Sequence, residues 1–368
     1  MKAARPLLIF HKTDSSKVFG GKSMHLLVFE MDFHRQLKYT DEGCAFLETH
    51  GEVEIIRQAD QQDEAAFTRF LERVPVADGI VIGPWHRPAT IPQDWQSAER
   101  MKVLAGTFDN RFNGWVDLQE LADRDIPLID TSRSMTPSVA EFALAMTLNL
   151  IRDIPESLYL ARQGKWKSYA WDKPGFVHGD LTGRRVGLAG FGSINRRYAE
   201  LIAPFRCTTR SYDPYVADAT LAAHGVERAP SLVELAASSE VFVVGLPPTP
   251  TTQQIISREV INALPRGALF VLVTRMAVVE QDPLWKRIEA GEIAAAIDVF
   301  APEPPPPEAW FRRHPNVLAT PHIAGGTDFC HRRCFTDACK DAVAVIKGNE
   351  PRFRATLWDD ACYQGKLD

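Results

Sequence analysis

The chain has 368 residues, 45% of them hydrophobic and 24% charged, with a formal net charge of −5. That length is too great for one small core and suits two globular domains. The slightly acidic balance offers no basic stripe to a nucleic-acid backbone, so nucleic acid is not an expected partner. No run approaches the roughly 18 apolar residues of a membrane span, and residues 6–10, after a basic start, are too short an apolar run for the core of a signal peptide. A cytoplasmic protein with no membrane partner is expected.

Taken in chain order, the apolar runs at 24–29, 53–56, 79–82 and 102–105 read as buried parallel strands, with helices over 42–49 and 64–73 between them. Residues 6–10 are a further strand candidate, set apart by the Gly20-Gly21 turn, and the pattern leaves open which run opens the domain. Trp85-His86-Arg87 follows the 79–82 strand, either as a substrate-selecting position or as a capped surface loop. The helix at 137–151 is apolar nearly all round, which calls for burial between domains or at a subunit contact. A polar, aromatic stretch with Trp166, Tyr169, Trp171 and Phe176 reads as an irregular surface segment.

Strands are then expected at 186–189, 207–213, 241–246, 268–273, 294–299 and 317–320, with a helix at 196–205. This alternation predicts an open, doubly wound parallel sheet, giving an α/β protein. The prolines of 301–307 stiffen a loop after a strand. A helix over about 328–347 carries Cys330, Cys334 and Cys339 beside His331, and these read as buried side chains, not as metal ligands. With no Cys-x-x-Cys spacing in the chain, reduced thiols and no metal are expected.

Gly190-Phe191-Gly192-Ser193-Ile194-Asn195 lies between the 186–189 strand and the following helix. Glycines there let the backbone turn tightly and approach a pyrophosphate, whose charge meets the unpaired amides of the helix start. Asp213, 23 residues beyond Gly190, ends the next strand and is placed to accept the adenosine-ribose hydroxyls. A carboxylate there repels the additional phosphate of NADP, so NAD is the expected cofactor. Asn195 replaces the third glycine of the fingerprint, a position that serves helix-on-strand packing.

Downstream, Arg275 sits just past the 268–273 strand, Glu303 in the proline loop after the 294–299 strand, and His322 just past the 317–320 strand. Ligands bind open parallel sheets at these carboxyl ends. A guanidinium grips a carboxylate through two parallel hydrogen bonds. A histidine backed by a carboxylate supplies the acid/base group that hydride chemistry requires.

With Lys102-Val103-Leu104, Ile126-Pro127-Leu128, Ser138-Val139-Ala140-Glu141, Pro247-Pro248-Thr249-Pro250-Thr251-Thr252, Asp298-Val299-Phe300 and Thr320-Pro321-His322, these residues resemble the D-isomer-specific 2-hydroxyacid dehydrogenases over most of the chain from about residue 102. The resemblance implies two doubly wound parallel-sheet domains with the active site in the cleft between them. A substrate-binding domain would span 1–133 and be completed by 322–368; an NAD-binding Rossmann domain would span 134–321. It implies a homodimer through the cofactor domain, for which the 137–151 helix offers a surface.

It further implies that Arg275 binds the carboxylate of a 2-keto or 2-hydroxy acid and that His322, supported by Glu303, donates a proton to the carbonyl oxygen as hydride arrives. Cofactor contacts would come from Gly190, Gly192, Ser193, Ile194, Asp213, Pro247, Thr252, Thr274 and Asp298, and substrate contacts from Gly106, Thr107 and Arg275. Relatives that oxidise formate carry an amide where this chain has Glu303, which argues against that chemistry.

The pattern departs in two places. Met276 and Ala277 follow Arg275 where the family has glycine, and a side chain at 276 is expected to crowd the nicotinamide or substrate. The loop Thr107-Phe108-Asp109-Asn110-Arg111-Phe112-Asn113-Gly114-Trp115 is longer than the family's glycine loop, which suggests a reshaped substrate pocket. The alternative to an enzyme is an NAD(H)-sensing interaction protein like the dehydrogenase-like transcriptional corepressors.

Overall fold

The computed structural model describes residues 24–60, 62–86, 98–108, 116–165 and 179–364. The strand candidate at 6–10, Arg87, residues 109–115 of the long loop and the aromatic stretch at 166–176 lie outside the described residues.

The first sheet is formed by β1 (His25–Met31), β2 (Glu52–Gln58), β3 (Gly79–Ile82), β4 (Leu104–Gly106) and β5 (Leu128–Asp130). The second holds β6 (Arg185–Ala189), β7 (Thr208–Tyr212), β8 (Glu227–Arg228), β9 (Val241–Val244), β10 (Leu269–Leu272), β11 (Ala294–Ile297) and β12 (Val317–Ala319). The helices are α1 (Asp32–Gln36), α2 (Asp41–Glu48), α3 (Glu64–Arg73), α4 (Leu118–Asp123), α5 (Thr136–Ile151), α6 (Ile154–Arg162), α7 (Ser193–Ile202), α8 (Asp218–Ala223), α9 (Leu232–Ala237), α10 (Arg258–Ala263), α11 (Gln281–Glu289), α12 (Asp328–Ile346) and α13 (Leu357–Gln364). Among the described residues no helix is long and apolar enough to cross a membrane.

All strand pairings within the two sheets are parallel. The first sheet runs β2-β1-β3-β4-β5 and the second β12-β11-β10-β9-β6-β7-β8, so each reverses direction once, at β1/β3 and at β6/β9. Those reversals are the switch points at which open sheets bind ligands. The interior strands β9, β10 and β11 are buried at every position. That is what their unbroken Val, Phe, Leu and Ala runs require when helices cover both faces.

Most expected elements are present with ends shifted by a residue or two. The difference at α7 is larger. It begins at Ser193, three residues before the expected 196, because Gly192 is its cap and the glycine turn feeds directly into helix. The three-residue β5 and the two-residue β8 are too short for hydrophobic periodicity to reveal.

Helix α5 lays Val139, Ala140, Ala143 and Met146 on one face of the second sheet, against Val186, Leu188 and Val241. It is not buried all round, since Glu141 and Ala145 are exposed. The following α6 has no buried residue and leaves Ile154, Leu158 and Tyr159 in solvent.

Helix α12 returns the chain to the first sheet. Phe335, Ala338, Cys339 and Ala342 pack on Leu26, Val28, Val81 and Val103. Gly43 of α2 permits the contact, because a Cβ there would stand 2.4 Å from Phe335. Cys330, Cys334 and Cys339 are all buried on this helix. Among the described residues no cluster of three or more His, Cys, Asp or Glu side chains is arranged to hold a metal.

The first sheet also buries two histidines. His86 Nε2 meets Gln58 Oε1 at 2.9 Å and its ring lies 4.5 Å from that of Phe29, so it is part of the core and not of a substrate-selecting loop. His34 Nδ1 accepts from the Met31 amide at 3.1 Å. Burial pushes both pKa values down from 6.5 to about 4, with mutual repulsion contributing at His34. The unfolded chain therefore binds more protons between these values, and the stability held above pH 6.5 is lost as pH falls toward 4. Urea unfolding at pH 7 and at pH 5 is expected to show a loss of about 1–2 kcal/mol per histidine. Equal stability at the two pH values would show that these rings are open to solvent.

Candidate active site

A cavity of about 1060 Å³ lies between the two sheets. Its walls bring together Gly190, Gly192, Ser193, Ile194, Asp213, Pro247, Thr252, Thr274, Arg275 and His322 from the second sheet's strand ends and loops. Trp85, past the end of β3, and Met135 and Thr136, at the start of α5, complete the lining.

The glycine turn leaves β6 with Gly190 at φ +80, where a side chain would be strained and its Cβ would stand 2.8 Å from Leu246. A Cβ on Gly192 would meet nothing within 4 Å, so the backbone there faces open space. The first amides of α7 have no partner within the helix, as at any helix start. Ser193 Oγ accepts from Thr136 Oγ1 at 3.0 Å, tying the start of α7 to that of α5. The Asp213 carboxylate accepts from the amides of Phe191 at 2.8 Å and Tyr215 at 2.9 Å. It is thereby held beside the turn. Thr252 Oγ1 donates to Pro247 O at 2.5 Å and fixes the loop after β9.

Arg275 follows β10 in extended backbone, its Nη1 donating to Thr274 O at 2.7 Å. Thr274 Oγ1 reaches back to Val244 O at 3.4 Å. Met276 does not crowd the cavity, contrary to the sequence expectation. A 3-10 turn over Met276–Val278 directs it into the core with Ile256, Val260 and Leu272, where it is buried.

His322 stands past β12 with a left-handed backbone, φ +56. Its amide donates to Asp298 O at 2.8 Å, and its Nδ1 lies 2.5 Å from Glu303 Oε1. A carboxylate only accepts, so Nδ1 carries the proton of this contact and Nε2 is the ring nitrogen left for chemistry. Glu303 is not on the cavity wall but behind the imidazole. Its loop is braced by a stack in which Phe311 lies 5.1 Å from Phe300 and 4.7 Å from Trp285, and by Arg312 donating to the carbonyls of Pro305 and Pro306.

Three expected contacts sit elsewhere. Asp298 is fully buried and does not face the cavity. Its Oδ1 accepts from Thr320 Oγ1 at 2.6 Å and the Ile323 amide at 3.0 Å, and its Oδ2 from the Ala324 amide at 2.9 Å, so it pins the segment that carries His322. Gly106 and Thr107 are also off the cavity wall. Thr131 Oγ1 donates to Gly106 O at 3.0 Å, which leaves Thr107 as donor in its 2.9 Å contact with Thr131. Phe108, the first aromatic of the long loop, is core.

Of the remaining wall residues, Trp85 belongs to the segment that the sequence offered as substrate-selecting, whereas His331, Trp358, Asp359 and Cys362 escaped sequence reasoning. Trp85, at φ +59, donates from Nε1 to His331 Nδ1 at 3.1 Å, and His331 stacks on Tyr39 at 4.5 Å. Burial pushes the His331 pKa down, which keeps the ring neutral and able to accept that bond. Trp358, Asp359 and Cys362 of α13 line the same cavity.

Residues 144–324 match the family model for the NAD-binding domain of D-isomer-specific 2-hydroxyacid dehydrogenases. The chain belongs to that family. It is 27% identical over 314 residues to a D-3-phosphoglycerate dehydrogenase of Methanocaldococcus jannaschii, covering 84% of this chain and 56% of that protein. It is 28% identical over 299 residues to a hydroxypyruvate reductase of Thermotoga maritima, covering 79% and 90%. The chain thus spans little more than half the length of the first curated relative it matches. A phosphoglycerate oxidoreductase from Rhizobium etli shares the fold, with a TM-score of 0.74 at 24% identity over 90% of this chain and 98% of that one.

Within this member of the family, the departure at the third glycine has a structural answer. Asn195 is buried in the first turn of α7, and its Nδ2 donates to Gly190 O at 2.7 Å and Ala189 O at 3.2 Å. It fills the space over Gly245, where a Cβ would come within 2.4 Å of it. The amide therefore clamps the glycine turn from below. Asn195→Ala leaves a buried carbonyl without this donor, and a loss of about 1–3 kcal/mol in unfolding free energy is expected. An unchanged denaturation midpoint would show that the clamp does not hold the turn.

Proposed function

We propose that this protein is an NAD-dependent oxidoreductase that interconverts a small 2-keto acid and the corresponding D-2-hydroxy acid. The reading is carried by one arrangement: the His322–Glu303 pair, 2.5 Å apart, beside Arg275 and the glycine turn at a single cavity. The names of the curated relatives, D-3-phosphoglycerate dehydrogenase and hydroxypyruvate reductase, support an acid as substrate.

The open backbone at Gly192, the start of α7 and the Asp213 carboxylate fit a dinucleotide. When bound, that cofactor supplies or accepts a hydride. Arg275 holds the substrate carboxylate and polarises the adjacent carbonyl. His322 Nε2 gives a proton to the carbonyl oxygen in reduction and removes it from the hydroxyl in oxidation. Glu303 fixes the imidazole's tautomer and orientation from the opposite nitrogen.

The test is NADH absorbance followed with a panel of 2-keto acids that includes glyoxylate and bulkier members. Turnover is expected with wild type, and His322→Ala is expected to lower kcat by about 10²–10⁴-fold while NADH still binds. Tight NADH binding with no turnover on any acid would sink the dehydrogenase reading.

Asp213 supports NAD over NADP. Beside it, Arg228 directs its guanidinium to Asp218 and to the carbonyls of Asp213 and Val216. Asp213→Ala is expected to reduce the NADH-to-NADPH preference by about tenfold or more, since it removes both an acceptor for the ribose and the repulsion of a phosphate. A ratio unmoved by the substitution would place the cofactor's ribose elsewhere.

A further inference from the structure

The cavity has an aromatic end that the proposed chemistry does not use. Two large rings, Tyr215 and Trp358, meet there edge to face with centroids 6.1 Å apart and an interplanar angle of 76°. They come from different halves of the molecule. Tyr215 lies two residues past Asp213 in the second-sheet half, and its amide donates to the Asp213 carboxylate. Trp358 belongs to α13, which is carried by the first sheet.

The anchoring of α13 is local and well defined. Arg352 pairs with Asp337 at 2.7 Å, and the Phe353 amide donates to Asp341 Oδ2 at 2.8 Å, both on α12. The chain then runs antiparallel along β5, with the Asp130 amide donating to Phe353 O at 2.9 Å and the Ala355 amide to Leu128 O at 2.8 Å. A reciprocal cap follows: the Thr356 amide donates to Asp359 Oδ2 at 3.0 Å and the Asp359 amide to Thr356 Oγ1 at 3.1 Å. These bonds set the start of the helix and with it the position of Trp358.

Although α13 is anchored to the first sheet, three of its residues, Trp358, Asp359 and Cys362, line the cavity that also holds Gly190 and Asp213. Trp358 is 51% exposed and Tyr215 64% exposed, so neither ring is explained by core packing. The same cavity is also lined by the apolar Val216, Leu232 and Ile255. A flat, heteroaromatic ring suits such a slot, because its π-faces stack on aromatic side chains while its edges stay in water.

We propose that α13 forms the outer wall of the adenosine subsite, with Trp358 and Tyr215 closing on the adenine so that both halves of the molecule grip one dinucleotide. This rests on the dinucleotide reading of the cavity given above. In this arrangement Trp358 is a binding residue for the cofactor's adenosine half and has no contact with the reacting atoms.

The test separates the two halves of the cofactor. Binding of ADP-ribose and of reduced nicotinamide mononucleotide is measured by calorimetry on the full chain, wild type, Trp358→Ala and Trp358→Phe. Loss of the indole is expected to weaken ADP-ribose about tenfold or more, with most of the affinity restored by phenylalanine and the mononucleotide unaffected. Amide hydrogen exchange across residues 357–364 is expected to slow when ADP-ribose is added.

Unchanged ADP-ribose affinity in Trp358→Ala, with a clear loss in Asp213→Ala, would overturn the role of α13 while leaving the dinucleotide site in place. Equal losses for both probes would make the contact merely structural and would also overturn it. Failure of wild type to bind either NADH or ADP-ribose would remove this inference together with the reading on which it rests.

Discussion

A strand covered by helices on both faces can present a functional side chain only at its end. Every strand in the two sheets is parallel to its neighbours, so all carboxyl ends within a sheet emerge on the same side. In the second sheet Gly190 follows β6, Asp213 follows β7, Arg275 follows β10 and His322 follows β12. Residues far apart in sequence meet because each sits at or shortly past the carboxyl end of its strand. The chemistry of the cavity is therefore a consequence of how the hydrophobic cores are covered.

Placement at a strand end does not by itself aim a side chain. Asp298 does this for His322: its carboxylate gathers Thr320 and the amides of Ile323 and Ala324, and its carbonyl accepts from His322. A buried carboxylate bearing three hydrogen bonds is well compensated for the loss of water. It also supports the left-handed backbone that His322 adopts. Glu303, on its aromatic-braced loop, then fixes the ring from the other nitrogen. The imidazole is held at its backbone and at its tip by two different acids.

Sequence reading anticipated the described strands other than β5 and β8, the glycine turn, and the positions of Arg275, Glu303 and His322 beyond strand ends, because unbroken apolar runs and their ends are strong one-dimensional signals. It failed where direction mattered. Asp298 and Thr107 were placed at the site by resemblance to the family, and Met276 by its position after Arg275, and each turns inward from the cavity wall. A strand end gives position along the chain but not the rotation of the next side chain, which here is set by a 3-10 turn at Met276 and by a threonine pair at Thr107. Trp358 and His331 were invisible as wall residues for the opposite reason. They reach the cavity only through the return of α12 and α13 to the first sheet, a fact of tertiary packing with no local pattern.

That return has a consequence for how the protein is made. Leu26 and Val28 of β1 finish their core against Phe335, Ala338 and Ala342, and Ser134 is bonded to Asp337 and Arg333 of the same helix. Contacts of such long sequence separation form slowly, since the intervening chain must be closed into a loop first. On the ribosome the amino-terminal sheet emerges early, with one apolar face covered only in part, by Cys44 and Leu47 of α2, until α12 has been synthesised. The second sheet, whose strands are contiguous in sequence from β6 to β12, can close its core in the meantime. The half of the protein made first is thus completed after the half made second, and during synthesis its partly covered face is the surface most in need of protection by chaperones.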